Sequence, residues 1–323
     1  MAQKIIHAVL LASAVLASSA HAEDVVRLGN LKFAHYGAVS YIKEIAPKCG
    51  LKVEEHVFAK GPDVMQAILA GELDVGATAS EGAISARANG APIYVVAGFA
   101  KGGARLVARP DAGIKSIKDL KGKRVGVTRG GIHEVLLAAE LAQNGLTMSD
   151  QTGKDVQVVY LAFADLNQAL LGKNLDAIMQ SEPQSSQAIN KGFGIEVMKP
   201  YDTPIGEPIR TLVMTEKFYK ERRPVAEKFM RCFIEATKGF IETKGMAEKY
   251  VRETIFKGQI SKEDFTDAIA NSPYSWDITP EHIQITTDVM NKYGVGKMAK
   301  PPLAKDWVKT DLLDLAKKNA NVK

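Results

Sequence analysis

The stretch "QAILAGELDVGATASEGAISARANG" (Gln66–Gly90) is matched without gaps by a second stretch, "QALLGKNLDAIMQSEPQSSQAINKG" (Gln168–Gly192). Identical residues fall near both ends and at Leu73 and Leu175, each of which is followed by an aspartate. Each copy has the pattern of a helix end, a short apolar strand, a polar loop and a further helix. The repeat therefore predicts two similar halves, which we call lobes.

The same order of elements continues upstream of both copies. A strand, a helix that ends at a glycine and a second strand precede each of them, with helix ends expected at Gly50 and Gly145. Strands that alternate with helices of about ten residues predict parallel βαβ units. We therefore expect an α/β fold in which each lobe is a doubly wound sheet, with additional strands at Ile93–Phe99 and Ala104–Ala108 between the copies.

The C-terminal part has a different pattern. A strand is predicted at Ile209–Thr215, and the chain is mostly helical from Pro224 onwards. Since this tail lacks strands for a third sheet, we expect it to return and cover the first lobe. The chain then crosses between lobes near residues 100–110 and 205–212, and two crossings make a hinge. The predicted division assigns residues 23–105 and 210–323 to lobe 1, and residues 106–209 to lobe 2.

The N-terminus has the features of a secretory signal peptide. Lys4 precedes an apolar run, Ile5–Leu16, that is too short to span a bilayer, and Ala20–Ala22 fits a small-residue cleavage site. We predict cleavage after residue 22 and export to the periplasm of a Gram-negative cell. The net charge of +5 is spread among acidic residues, so we expect no nucleic-acid partner.

The two cysteines, Cys49 and Cys232, leave two interpretations open. An exported protein can pair them in a disulfide. Cys232 also falls on the apolar face of a predicted helix beside Phe229 and Phe233, so burial of two free thiols explains the pattern equally well. Neither cysteine stands in a zinc or redox motif, and we expect neither a metal nor a cofactor.

Ligands of open parallel sheets bind beyond the carboxyl ends of the strands, and five predicted loops follow strands in this way. Lobe 1 supplies "FAHYG", "AKGPD" and "ATASEG", and lobe 2 supplies "TRGGIHE" and "MQSEPQ". The candidate ligand-binding residues in these loops are Phe33, His35, Tyr36, Lys60, Thr78, Ser80, Glu81, Arg129, Gly130, Gly131, His133, Gln180 and Glu182.

These candidates also have structural interpretations. Arg129 offers a planar fork for a sulfonate or carboxylate, beside glycines that leave backbone N–H groups accessible, but it also fits a surface arginine. The Thr78 and Ser80 hydroxyls fit a helix cap as well as an anion contact. Glu81 and Glu182, on opposite lobes, either bracket an amine or ring N–H or point to water. Together with Arg129 they favour a zwitterion or a hydrogen-bonding heterocycle over plain nitrate.

Catalytic motifs are absent from the sequence. "RGGIHEVLL" has no second histidine for a zinc-protease pattern, no G-x-S-x-G occurs, and "GVGKM" lacks the residues of a phosphate loop. The glycine pair at Gly130 and Gly131 also does not match G-x-G-x-x-G. These observations favour a binding protein, with a periplasmic sensor or enzyme on the same fold as the alternative.

Three segments, "AILAGELDVGAT", "GIKSIKDLKGKRVGVTRGG" and "TEKFYKERRPVAEKFMRCFIEATK", resemble the substrate-binding proteins of ABC importers. They are most similar to the group that binds aliphatic sulfonates, taurine or nitrate and includes binders of thiamine-precursor pyrimidines. The resemblance covers residues 24–323. It implies a two-lobed periplasmic-binding-protein fold of type II, a monomer with a small ligand in the interlobe cleft, and no catalytic residues. The implied partners are an inner-membrane permease and its cytoplasmic ATPase.

Overall fold

The computed structural model describes residues 24–151, 153–296 and 298–322; the predicted signal peptide, residues 1–22, lies outside the described residues. The strands are β1 (Asp24–Leu31), β2 (Leu51–Phe58), β3 (Val75–Ala79), β4 (Ile93–Lys101), β5 (Ala104–Ala108), β6 (Arg124–Val127), β7 (Met148–Ser149), β8 (Val156–Tyr160), β9 (Ala177–Ser181), β10 (Ile195–Met198) and β11 (Ile209–Thr215). The α-helices are α1 (Gly37–Ile45), α2 (Gly61–Leu69), α3 (Ser80–Ala88), α4 (Ile132–Gln143), α5 (Phe163–Leu171), α6 (Gln184–Asn190), α7 (Glu216–Glu221), α8 (Arg223–Glu242), α9 (Met246–Lys249), α10 (Lys262–Asn271), α11 (Pro280–Tyr293), α12 (Ala304–Trp307) and α13 (Asp311–Asn319). Short 3-10 helices cover Ala34–Tyr36, Ala46–Cys49 and Ile117–Leu120, and a π-helix covers Tyr250–Ile255.

Two mixed sheets lie at the centres of two lobes. Sheet 1 has the strand order β2-β1-β3-β11-β4, and sheet 2 has the order β10-β5-β9-β6-β8-β7. In sheet 1, β1 runs parallel to β2 and β3; in sheet 2, β6 runs parallel to β8 and β9. One antiparallel strand, β11 or β5, flanks each parallel set. The predicted two-lobed α/β fold is confirmed.

The aspartate of the sequence repeat has the same structural role in both lobes. Asp74 accepts hydrogen bonds from the backbone N–H of Arg27 at 3.0 Å and from its side-chain Nε at 3.1 Å, which links β1 to the start of β3. Asp176 accepts the backbone N–H of Arg124 at 2.9 Å, which links β6 to the start of β9 in the same way. The sequence repeat therefore corresponds to a structural repeat.

The chain passes between the lobes at two places. β4 of sheet 1 leads into β5 of sheet 2 through Gly102 and Gly103, which have φ values of 66° and 76° that favour glycine. The segment between β10 and β11 returns to sheet 1. Sheet 2 thus begins at Ala104 with β5; the lobe boundaries proposed from the sequence stay a prediction.

The C-terminal helices cover more than the expected first lobe. Helices α8 and α13 pack on each other, with α8 also against α1, while α10 contacts α6 of lobe 2 and α11 contacts α4 of lobe 2. The Asn190 side chain donates a hydrogen bond to Asp264 Oδ1 at 2.9 Å across the α6–α10 contact. The tail therefore bridges the lobes because its helices pack on both. Among the described helices, none has both the length and the apolar character needed to cross a membrane.

Cys49 and Cys232 form a disulfide, so of the two interpretations left open by the sequence the paired one is correct. Cys49 ends the 3-10 helix after α1, and Cys232 lies within α8. Their Cα atoms are 6.1 Å apart, a separation that a disulfide spans without backbone movement. The bond joins the N-terminal and C-terminal parts of the chain on the same side of lobe 1.

Candidate functional site

A cavity of about 30 Å³ lies between the lobes at the carboxyl ends of the parallel strands. Its volume corresponds to about two water molecules. The residues that line it come from both lobes and from β11, and they are Leu31, Phe33, His35, Tyr36, Lys60, Gly61, Pro62, Ala79, Glu81, Thr128, Arg129, Gly131, Ile132, His133, Phe163, Ser181 and Arg210. Eight of the thirteen candidate residues are among them.

Arg210, on the returning strand β11, brings a buried positive charge into the cavity. Its side chain is 1% exposed, and its Nε donates a hydrogen bond to His35 Nε2 at 3.2 Å. The two terminal nitrogens find no hydrogen-bond partner among the described residues. Since a guanidinium does not lose its charge, this unpaired cation is costly until an anion joins it. Arg210 is not among the residues predicted from the sequence; its signal is a charged residue in a strand that is mostly apolar.

His35 is held as a neutral ring by this arginine. An arginine only donates, so His35 Nε2 must accept and the ring proton lies on Nδ1. Burial, followed by the charge of Arg210, lowers the pKa of His35 well below its usual value. Its Nδ1 is buried without a partner among the described residues. His35 therefore has an unpaired N–H donor in the buried wall of the cavity.

His133, in the first turn of α4, supplies a second neutral imidazole from lobe 2. It is buried, and neither ring nitrogen has a hydrogen-bond partner within the described part of the chain. Burial, followed by the charge of Arg210, lowers its pKa to about 3. At neutral pH the ring therefore offers one donor and one acceptor and adds no charge.

Glu81, in the first turn of α3, is the carboxylate that lines the cavity among the described residues. Its side chain is 3% exposed, and Oε2 has no partner there. Burial raises its pKa to about 7, against the opposing effects of Arg210 and of backbone N–H groups that include that of Ile132. Since Ile132 begins α4, Glu81 acts across the cleft from lobe 1 to lobe 2.

Three helices begin at the cavity without a side-chain cap. Their N-cap residues are Lys60 for α2, Ala79 for α3 and Gly131 for α4. Uncapped N–H groups and the helix dipole suit a negatively charged group. Of the two interpretations of Thr78 and Ser80, the helix cap is wrong, because Ala79 occupies the N-cap position. Both hydroxyls are buried without hydrogen-bond partners in the described chain, and neither residue lines the cavity, so their contact with a ligand stays a prediction.

Aromatic rings from the two lobes meet at the cavity. Phe33 of lobe 1 and Phe163 of lobe 2 lie edge to face with ring centres 5.2 Å apart. His35 stacks on Phe33 at 5.7 Å, and His133 lies edge-on to Phe163 at 5.0 Å. Tyr36 is also buried in this wall, and its pKa is raised by burial. The cavity thus combines apolar surfaces with a few unpaired polar atoms, as ligand pockets do.

Arg129 and its glycines are arranged differently from the expected anion grip. The Arg129 side chain is 64% exposed, forms an ion pair with Asp150 at 2.7 Å and stacks on the Tyr160 ring at 3.6 Å. The backbone N–H of Gly130 is not free, because it donates to the Glu134 carboxylate. Arg129 therefore lies at the cavity rim with its guanidinium engaged elsewhere, and its role in binding stays a prediction.

Glu182 and Gln180 are engaged within lobe 2. Glu182 pairs with Arg105 Nε at 2.6 Å and accepts a hydrogen bond from Ser186 Oγ at 2.7 Å. The Gln180 amide donates to the backbone oxygen of Phe163 at 3.1 Å. Neither is among the described residues that line the cavity. Neither interpretation left open for Glu182 applies, because its carboxylate is buried and pairs with Arg105 instead of facing a ligand or water. Lys60 lies half-exposed at the cavity rim, 3.8 Å from Asp63.

A cleft between two lobes, two connecting segments and a buried polar cavity define the class of two-lobed periplasmic binding proteins. Residues 15–253 match the NMT1-like family, and the chain belongs to this family.

Curated relatives are named as binding proteins. A candidate aliphatic sulfonates-binding protein of Escherichia coli K12 is 33% identical over 173 residues, which cover 53% of this chain and 50% of that protein. A candidate ABC transporter periplasmic binding protein of Brachyspira hyodysenteriae is 22% identical over 245 residues, covering 70% of this chain and 69% of that protein. The chain thus spans about half the length of the first of these relatives.

A solved structure with the same fold is the alkanesulfonate-binding protein of Xanthomonas axonopodis pv. citri bound to MOPS. It superposes with a TM-score of 0.75 over 88% of this chain and 98% of that chain, at 18% sequence identity. At this identity the similarity establishes the fold.

Proposed function

We propose that this protein is the solute-binding component of an ABC-type importer, and that it binds a small organic anion or zwitterion of sulfonate or taurine type between its lobes. The observation that carries the proposal is Arg210, a buried guanidinium with two unpartnered terminal nitrogens in the described structure, facing a cavity where three uncapped helices begin. The names of the relatives support the same class of ligand.

The cavity residues suit an oxyanion in a specific way. Two oxygens of a sulfonate accept hydrogen bonds from the terminal nitrogens of Arg210, a paired geometry that the planar guanidinium favours. The Nδ1–H of His35 is a further donor. Phe33 and Phe163 pack against the carbon chain of the ligand from opposite lobes. Hydrogen bonds and packing hold the ligand without making or breaking a covalent bond, so the protein acts by binding.

Binding requires the lobes to move. A cavity of about 30 Å³ is smaller than an alkanesulfonate, so the lobes must separate about the two crossings before a ligand enters. The ligand then docks on one lobe, and contacts from the other shift the population towards the closed form. We propose that this closed form, in the periplasm, is recognised as a monomer by an inner-membrane permease with a cytoplasmic ATPase.

A thermal-shift screen tests the proposed ligand class. Compounds that bind only the native state raise the Tm, so we expect alkanesulfonates and taurine to raise it more than nitrate. Arg210→Gln should abolish the shift, while the control Arg231→Gln, a half-exposed arginine of α8, should keep it. A screen in which neither sulfonates nor taurine raise the Tm of the wild-type protein would contradict the proposal.

A thiamine-precursor pyrimidine or a related heterocycle is the second candidate, and the aromatic pair favours it. Phe33 and Phe163 belong to different lobes, so a flat ring can insert between them when the lobes separate. Glu81 then accepts a ring or amino N–H. Pyrimidines in the same screen distinguish the candidates: a shift that Phe163→Ala removes and Arg210→Gln leaves in place would favour the heterocycle.

A further inference from the structure

The charges around the cavity nearly cancel. Arg210 is permanently positive, and His35 and His133 are neutral because burial and Arg210 disfavour their charged forms. Glu81 contributes the carboxylate to the cavity wall, since Glu182 forms an ion pair with Arg105 away from the cavity. Arg210 together with an ionised Glu81 therefore gives the buried site a net charge of about zero.

Because the buried site is close to neutral, a simple anion and a zwitterion should bind to it with different electrostatic energies. A simple anion that joins Arg210 places a second negative charge beside Glu81, in an interior where like charges repel strongly. A zwitterion brings its own positive group, which Glu81 accepts, and the site stays neutral. Glu81 has an unpartnered oxygen, Oε2, among the described residues, so it is free to accept such a donor.

We propose that Glu81 selects between these ligands by its protonation: it takes up a proton when a simple anion binds and stays ionised when a zwitterion binds. The inference rests on the proposed function and specifies the ligand's charge at that site. The cleft then favours zwitterions at higher pH and simple anions at lower pH.

The surroundings of Glu81 permit both protonation states. The groups that act on it are Arg210 from β11 and the backbone N–H groups at the starts of α3 and α4, all of which favour the carboxylate. Burial opposes them and is the larger effect, so the pKa lies at about 7. Of the other ionisable groups that line the cavity, His35, Tyr36 and His133 remain neutral at this pH because burial opposes their ionisation. Lys60 and Arg129 are charged but lie at the rim, where Asp63 and Asp150 face them.

Calorimetry with a matched pair of probes tests the proposal. Ethanesulfonate and taurine share a sulfonate and a two-carbon chain, but only taurine carries an ammonium group. We would measure Kd at pH 6 and pH 8 in imidazole and Tris buffers at constant chloride, without sulfonate buffers. The proteins are the wild type, Glu81→Gln and the control Glu72→Gln, which replaces an exposed acid of lobe 1.

The expected pattern follows from proton linkage. Wild-type affinity for ethanesulfonate falls about tenfold from pH 6 to pH 8, because Glu81 must be protonated first. Glu81→Gln imitates the protonated form, so its affinity for ethanesulfonate is independent of pH and about tenfold above wild type at pH 8. Wild-type affinity for taurine does not fall over this range, whereas Glu81→Gln binds taurine more weakly. Glu72→Gln matches the wild type throughout.

Two results would overturn the inference, and they differ from failure of the proposed function. If the wild type binds ethanesulfonate with the same Kd at both pH values, or if Glu81→Gln shows the wild-type pH dependence, Glu81 is not the selecting group while the sulfonate site stands. If neither probe binds the wild type at either pH, the proposed function is wrong and the inference fails with it.

Discussion

Two buried arginines at the crossings show how a charge can serve either the fold or a ligand. Arg105, on β5, is neutralised by Glu182 at 2.6 Å, Asp267 at 2.7 Å and Glu196 at 3.0 Å. Arg210, on β11, has only the neutral His35 as a hydrogen-bond partner among the described residues. A protein retains a buried guanidinium with unsatisfied hydrogen-bond donors at the expense of stability, so a role in binding explains why it is there.

Substitution of Arg210 and of Arg129, the two arginines that line the cavity, should separate their roles in binding. We expect Arg210→Gln to weaken ethanesulfonate binding at least about 30-fold, because a buried charged hydrogen bond contributes about 2–5 kcal/mol. We expect Arg129→Ala to change it less than about threefold, because an exposed ion pair with Asp150 contributes little. Calorimetry measures both. Equal losses in both variants would favour the interpretation that the Arg129 fork grips the anion.

The stability of Arg210→Gln, compared with that of Arg105→Gln, provides a control. Arg210→Gln removes a buried cation that has no hydrogen-bonded carboxylate, and Glu81 can take up a proton in its absence, so its free energy of unfolding should equal or exceed that of the wild type. Arg105→Gln leaves Glu182 buried without its cation and should lose about 3–5 kcal/mol. Urea denaturation checks this difference; a large loss of stability in Arg210→Gln would mean that its charge supports the fold.

At the level of elements, the sequence predicts positions well and side-chain directions poorly. The strand expected at Ile209–Thr215 is β11, and the helix ends expected at Gly50 and Gly145 have the left-handed backbone of C-caps. Strand β11 is buried nearly throughout, so its apolar pattern does not show which face meets the cavity. The partners of Glu182 and Arg129 come from other elements, and their identity depends on packing that a single sequence does not reveal.

Strands β1 and β6 hold equivalent places in the two sheets, and each has a glycine where a leucine from the turn before a neighbouring strand packs closely. A Cβ on Gly126 of β6 would lie 2.4 Å from Leu175 Cδ1 and 2.8 Å from Leu166 Cδ2, and Gly29 of β1 meets Leu73 at 2.5 Å in the same way. We expect Gly126→Ala to reduce the free energy of unfolding by about 1–3 kcal/mol, as overpacked cores do. Urea denaturation measures the loss.

A second variant tests whether crowding against Leu175 causes the loss of stability in Gly126→Ala. Leu175→Ala opens the space beside Gly126, so in the Leu175→Ala background the added methyl of Gly126→Ala should cost less than in the wild type, or even stabilise. An unchanged cost in both backgrounds would show that the glycine is needed for another reason.

For the molecule as a whole, the fold combines fixed and movable parts. The disulfide between Cys49 and Cys232 and the packing of α1 against α8 hold lobe 1 as a unit. The lobes are joined through Gly102 and Gly103, whose positive φ values restrict side chains there. A closed cleft also needs close approach at the hinge: a Cβ on Gly103 would lie 2.8 Å from Ser272 Oγ and 3.4 Å from the Arg210 guanidinium.

We therefore expect Gly103→Ala to disfavour the closed form and to weaken ethanesulfonate binding by about tenfold, since apparent affinity falls with the population of the binding-competent state. Dyes on Glu72→Cys and Asn174→Cys, exposed positions in equivalent loops of the two lobes, report closure by energy transfer. Ligand should raise the transfer efficiency in the wild-type background, and Gly103→Ala should need more ligand for the same rise. The cavity is smaller than the ligand, so entry should depend on lobe movement. If the protein binds ethanesulfonate with no change in transfer efficiency at any concentration, entry does not depend on that movement. Gly103 would then act only through its close approach to Arg210.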